Sequence, residues 1–235
     1  MEVTVSMLKR LKRLANKPNW QNLRHLKPIS RQFGMDRGTP IDRIYIEQFI
    51  SMYKQDIRGV ICEIAEDTYS KKFGDFEKIT KFEVLHYNND NTKATIVGDL
   101  SEIDKLPAGQ IDCFILTQTL NFIEDIQLAI KGIHSMLAKN GTALITVAGL
   151  CQISRYDMDR WGDYWRFTDL SLQRSLAKIF GDENVTIETF GNVLSATALL
   201  QGLSAEELTQ QELDYKDQDY QIIIAARVVK NETPN

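Results

Sequence analysis

Apolar positions along this chain fall into short runs separated by polar stretches, and their period switches between two and about 3.6 residues. Gly59-Val-Ile-Cys-Glu-Ile-Ala65 is an apolar run opened by glycine, the pattern of a central strand buried on both faces. Lys78-Ile-Thr-Lys-Phe-Glu83, Ala94-Thr-Ile-Val-Gly-Asp99, Gln110-Ile-Asp-Cys-Phe-Ile-Leu116 and Thr142-Ala-Leu-Ile-Thr-Val147 predict four further strands. Helical spacing intervenes. Asp42 is a plausible cap for a helix that buries Ile46, Phe49 and Ile50. Ile126, Ala129, Ile130, Ile133 and Leu137 share one face of a helix over 125–137, which the turn Lys139-Asn-Gly141 should stop. Residues 171–180 read as a helix, 185–190 and 220–229 as late strands, with a helical stretch near 192–213 between those strands. Strands alternating with helices imply a parallel sheet covered on both faces, an α/β doubly wound fold.

Composition agrees with one domain plus a small appendage. With 235 residues, 43% of them apolar, the chain can bury a core without disulfides or metal. No run of about 18 apolar residues is present to span a bilayer, and the basic start lacks the apolar segment of a secretory signal. Cys62, Cys113 and Cys151 are far apart and form no zinc-type spacing, so no metal site is expected and a reducing cytoplasm is the natural compartment.

Charge is uneven. Residues 1–40 hold nine Lys/Arg against Glu2 and Asp36, which leaves 19 basic and 30 acidic residues, net −11, on the rest. An acidic body argues against nucleic acid as partner. Leu8, Leu11 and Leu14, interleaved with Lys and Arg, predict a short basic amphipathic helix. Residues 1–37 are therefore read as a basic helical arm that either packs on its own domain or meets an anionic membrane or a partner protein. The main domain is read as 38–230, with 231–235 a disordered tail.

In an open parallel sheet, ligands bind beyond the carboxyl ends of the strands. Strand one delivers Glu63, Ala65, Glu66 and Tyr69; strand two Glu83; strand three Asp99; strand four Thr117 and Gln118. A carboxylate after strand two suits the paired hydroxyls of a ribose, and Asp99 could accept from an adenine amine. No glycine fingerprint for a pyrophosphate follows strand one, and no P-loop occurs anywhere. Two carboxylates stand where a phosphate would be repelled. A cofactor with adenosine, no phosphate and a positive centre fits these tips best.

A second dense patch follows strand five: Arg155-Tyr-Asp-Met-Asp-Arg-Trp-Gly-Asp-Tyr-Trp-Arg-Phe-Thr168. Aromatic faces interleaved with carboxylates hold sugars by stacking and by accepting hydroxyl donors. Trp161, Tyr164, Trp165 and Arg166 are the substrate-binding candidates, whereas Phe167 and Thr168 are assigned to packing and capping. His86 and Asp163 are the candidate bases, and His134 is read as structural.

These blocks, together with Gly38-Thr-Pro-Ile-Asp-Arg-Ile-Tyr-Ile-Glu47, Ile115-Leu-Thr-Gln-Thr-Leu-Asn-Phe-Ile123 and Gly191-Asn-Val-Leu194, resemble the class I S-adenosylmethionine-dependent methyltransferases. More narrowly, they resemble the bacterial group associated with cell-surface polysaccharide biosynthesis. The resemblance covers about residues 38–230. It implies a Rossmann-like sheet of about seven strands, mostly parallel, with an antiparallel C-terminal strand. It further implies S-adenosylmethionine as cofactor. Glu63, Ala65 and Glu66 would line the methionine side, Glu83 the ribose, Asp99 and Leu100 the adenine, and Thr117 and Gln118 the sulfonium. Arg43 and Tyr45 become candidates for the cofactor carboxylate. Ala65 stands where the family carries glycine. The implied activity is O-methylation of a sugar or glycan by a cytoplasmic enzyme, with its basic arm touching a membrane or a glycosyltransferase. The rival is a catalytically silent scaffold of the same fold.

Overall fold

A computed structural model describes residues 24–231 and Met7. Seven strands form one sheet: β1 (Gly59–Ile64), β2 (Ile79–His86), β3 (Ile96–Val97), β4 (Ile111–Thr117), β5 (Leu137–Ala148), β6 (Val185–Phe190) and β7 (Ile223–Val229). Their spatial order is β3-β2-β1-β4-β5-β7-β6. β7 inserts antiparallel between β5 and β6, while the other neighbours pair parallel. This is the mostly parallel doubly wound sheet expected from the alternation of elements.

Two apolar clusters cover the two faces, and period two sends successive residues of one strand to each. In β4, Phe114 and Leu116 join one cluster and Cys113 and Ile115 the other. Helices α1 (Ile41–Met52) and α6 (Val193–Gln201) pack on the Ile115 face; α3 (Ile126–Met136) and α5 (Asp169–Phe180) pack on the Phe114 face. Shorter helices are α2 (Thr68–Phe73), α4 (Arg155–Met158) and α7 (Gln210–Asp214).

Local chemistry sets the helix ends. Thr168 caps α5 in a reciprocal capping box with Ser171. Asn192 caps α6 by accepting from the Leu194 and Ser195 N–H groups, both at 3.0 Å, and its amide donates to the Glu212 and Tyr215 carbonyls. The Gly191–Leu194 block is therefore a structural joint. Asp42 does not cap α1; Pro40 occupies that position, and Asp42 lies in the first turn.

Several boundaries differ from the sequence reading: β3 is only Ile96–Val97, β7 starts at Ile223 and α5 at Asp169, and two differences go further. β2 runs on through Val84, Leu85 and His86, since Val84 and Leu85 are buried. Asn140-Gly141 forms a bulge inside β5: register passes from Ile111↔Leu137 to Cys113↔Thr142, and Asn140 N–H donates to the Lys230 carbonyl at 2.9 Å.

The segment ahead of α1 docks on the domain. Ser30 N–H donates to the Gln201 carbonyl at 2.9 Å, Arg37 Nε to Glu207 at 2.9 Å, and Thr39 Oγ1 to Glu206 at 2.7 Å. Residues 30–37 thus belong with the sheet domain, ahead of the boundary read at 38. Leu8, Leu11 and Leu14 of the expected amphipathic helix, and the tail residues 232–235, lie outside the described residues. No helix among the described residues is long and apolar enough to cross a membrane.

Candidate functional site

A cavity of about 630 Å³ opens beyond the carboxyl ends of β1 to β4. Ile64 and Ala65 come from β1, His86 and Tyr87 from β2, Gly98 to Ser101 from β3, and Thr117 to Thr119 from β4. The loop before α3 supplies Phe122 to Asp125, and the segment around α4 closes the outer side with Asp157, Arg160, Trp161 and Tyr164. The volume lies within the range of sites for small ligands and cofactors. Asp99, Glu124, Asp125 and Asp157 face the cavity against the single arginine Arg160, so the lining favours a cationic ligand.

Ala65 turns the chain out of β1 at φ 64, a left-handed conformation that glycine adopts without strain. Its N–H donates to the Leu85 carbonyl at 2.9 Å, and its carbonyl accepts from Asn91 Nδ2 at 2.6 Å. The alanine therefore keeps the backbone path of a glycine. Gln118, at the β4 tip, is also left-handed at φ 50, and its Nε2 is buried without a hydrogen-bond partner among the described residues. Such an orphaned donor marks a place for a ligand acceptor.

Asp99, Leu100, Thr117, Gln118, Ala65 and His86 all reach this cavity. Asp99 Oδ1 accepts from Ser101 N–H and Oγ, each at 2.7 Å, which fixes the β3 loop. His86 Nδ1 lies 3.1 Å from the Asn88 carbonyl, and its ring meets Trp161 edge-on at 6.0 Å.

Glu83 does not reach it. Because β2 continues to His86, Glu83 lies three residues short of the tip, level with Cys62 and ion-paired to Lys81. Burial pushes its carboxyl up, but Lys81 and Thr95 outweigh that and hold it below the ordinary range. Glu63 is buried too: it accepts from Tyr69 N–H at 3.0 Å and from Ser70 N–H and Oγ at 2.9 Å, anchoring α2. Burial raises its pKa against the pull of these donors. Glu66 is exposed and accepts from Thr68 Oγ1, and Tyr69 packs at the edge of the α1 face with its hydroxyl pushed up to about 12 by burial. None of these lines the cavity.

Tyr45 is a core residue stacked on Phe190 at 5.8 Å, and Arg43 is exposed on α1; neither lines the cavity. Asp163 is bound by Arg166 at 2.5 Å and accepts from Ser154 N–H, with the arginine holding its carboxyl below the ordinary range. A carboxylate so held is a poor base at neutral pH. Trp161 and Tyr164 face this first cavity, Arg166 a neighbouring one, and Trp165 neither. Trp165 instead straps the loop before α3, its Nε1 donating to the Ile123 carbonyl at 3.0 Å.

Sequence reasoning missed Tyr87, Phe122 and Asp157 as lining residues. Extending β2 by its two buried apolar residues would have exposed Tyr87; Asp157 sat unsingled in the aromatic patch.

Residues 79–145 match the family model described as a methyltransferase domain. Solved structures extend the likeness over most of its length. An S-adenosylmethionine-dependent methyltransferase from Archaeoglobus fulgidus aligns at TM-score 0.52 and 12% identity, covering 80% of this chain and 94% of that one. The phosphoethanolamine N-methyltransferase 2 of Haemonchus contortus, in complex with S-adenosyl-L-methionine, aligns at 0.52 and 12%, covering 79% and 52%. The CurJ carbon methyltransferase aligns at 0.51 and 11%, covering 84% and 57%. At these identities the likeness is one of fold, and the chain spans about half of the latter two proteins. Nitrogen and carbon methyltransferases stand together among them, so the fold leaves the accepting atom open. No curated protein matches the chain by sequence.

Proposed function

We propose that this chain is an S-adenosylmethionine-dependent methyltransferase that transfers to a hydroxyl oxygen. The observation that carries the reading is the open, carboxylate-lined cavity at the tips of β1 to β4 in a chain with a methyltransferase-domain sequence. The bound S-adenosylmethionine of the Haemonchus relative supports the choice of cofactor. The residues present fit it: Ala65 keeps the glycine-like path, and the lining is acidic rather than phosphate-binding.

When bound, that cofactor supplies a methyl group already activated by a sulfonium. The protein's work is alignment, exclusion of water and removal of one proton. Asp99 and Leu100 would flank the adenine. At the β2 tip His86 takes the place expected of Glu83. With Nδ1 donating to the Asn88 carbonyl, His86 Nε2 is left as an acceptor for a ribose hydroxyl. Trp161 and Tyr87, whose rings meet at 5.7 Å, form an aromatic cover on that side. Thr117 to Thr119 would lie along the methionine portion.

The resemblance implies a sugar or glycan acceptor in cell-surface polysaccharide biosynthesis, and that finer reading is the rival to the acceptor argued below from the second cavity. Cytoplasmic location and docking of the basic arm on a membrane or glycosyltransferase belong to it as well. Calorimetry of the full chain with S-adenosylhomocysteine tests the core reading. Binding is expected, and Asp99→Ala should weaken it about tenfold. No binding at millimolar concentration would favour the silent scaffold.

A further inference from the structure

A second cavity of about 340 Å³ adjoins the first, and Gln118, Phe122 and Asp157 line both. Its remaining wall is largely apolar, with Phe33, Met35, Leu150, Leu199, Ile222 and Ile223 among the lining. At the shared border two polar groups keep unused capacity. Gln118 Nε2 has no hydrogen-bond partner among the described residues, although it is buried. Asp157 lines both cavities, and of its carboxylate oxygens Oδ2 accepts from Ser154 Oγ at 2.5 Å. Asp163 cannot serve there, because both its oxygens are held by Arg166.

We propose that the second cavity seats the methyl acceptor, a compact molecule with an apolar body and one hydroxyl at the border. Gln118 Nε2 donates to the hydroxyl oxygen, and Asp157 takes its proton. The inference rests on the methyltransferase reading and deepens it. As the hydroxyl oxygen forms its bond to the methyl carbon, the carbon–sulfur bond breaks and its electron pair stays on sulfur. The O–H proton passes to the Asp157 carboxylate and then to water. The products are a methyl ether, S-adenosylhomocysteine and one proton. A monosaccharide is a poor occupant, because several of its hydroxyls would lose water against an apolar wall without gaining partners.

The probe is 4-propylphenol, offered to the full chain loaded with S-adenosylhomocysteine, with methyl α-D-glucopyranoside as comparison. The phenol is expected to bind more tightly. Intermolecular NOEs to the methyl groups of Leu199 and Ile222 should place it in the second cavity. Leu150→Trp adds bulk at a residue 37% exposed, and should weaken phenol binding more than about tenfold while S-adenosylhomocysteine affinity is kept. Gln118→Met should weaken it about five- to tenfold. Asp157→Asn should hold phenol affinity within about threefold, yet slow label transfer from methyl-labelled S-adenosylmethionine about 100-fold or more. Preference for the glycoside, NOEs elsewhere, or undiminished transfer in Asp157→Asn overturns the assignment. If the homocysteine product binds and the phenol does not, the acceptor assignment fails alone. If neither binds, the methyltransferase reading fails first.

Discussion

Ala65 and Glu63 show how much one residue can decide at a strand tip. A left-handed alanine costs about 1 kcal/mol more than glycine in the same conformation. Ala65→Gly should therefore raise unfolding stability by about 0.5–1 kcal/mol in urea titration, with affinity for S-adenosylhomocysteine unchanged or improved. Glu63→Ala strands the Tyr69 and Ser70 N–H groups beside α2 and should cost about 2–4 kcal/mol. Asp42, on the wall of the second cavity, has its carboxyl raised by burial. An acid whose folded pKa lies above its unfolded value destabilises the fold at high pH and ceases to do so as pH falls through that folded value. Asp42→Asn should accordingly raise Tm at pH 8, with the gain vanishing below about pH 4.

At the scale of elements, the clear signals were those whose period extended over several residues. β1, β4, α3 and α5 emerged where the apolar pattern put them, because both faces of the sheet are buried and their inward positions are apolar apart from Glu63. β2 did not, since Lys81 and Glu83 interrupt its pattern before Val84 and Leu85 complete it. That slip of three residues put Glu83 at the expected strand tip, where the structure has His86. The Asn140-Gly141 bulge was read as a helix stop for a related reason: turn chemistry is the same whether or not pairing resumes on both sides. Asp99, Thr117 and Gln118 were legible because their strands end where their apolar runs end. Tyr45 was not, for a tyrosine on an amphipathic helix gives no sign of which way its hydroxyl faces. The joint at Asn192 offers an element-scale test. Asn192→Ala removes the cap of α6 and two bonds to the α7 region, and should lower stability by about 2 kcal/mol. Hydrogen exchange should quicken first at Leu194 and Ser195.

Over the whole molecule, residues 30–39 are joined to residues 201–207 by Ser30, Arg37 and Thr39. The carboxyls of Glu206 and Glu207 sit at about 2, held down by hydrogen bonds from Thr39 and from Arg37 respectively. Acids depressed in this way contribute stability above their unfolded value near 4.5 and lose it as pH falls toward 2. Acidification from pH 5 to pH 2.5 should therefore loosen this clasp early, seen as faster exchange at Thr39 N–H ahead of β4. Phe33 and Met35, carried by the same segment, form part of the second cavity. That wall thus depends on residues near opposite ends of the chain. During synthesis every residue that lines the first cavity is made before residue 207, whereas the second cavity also waits for Ile222 and Ile223.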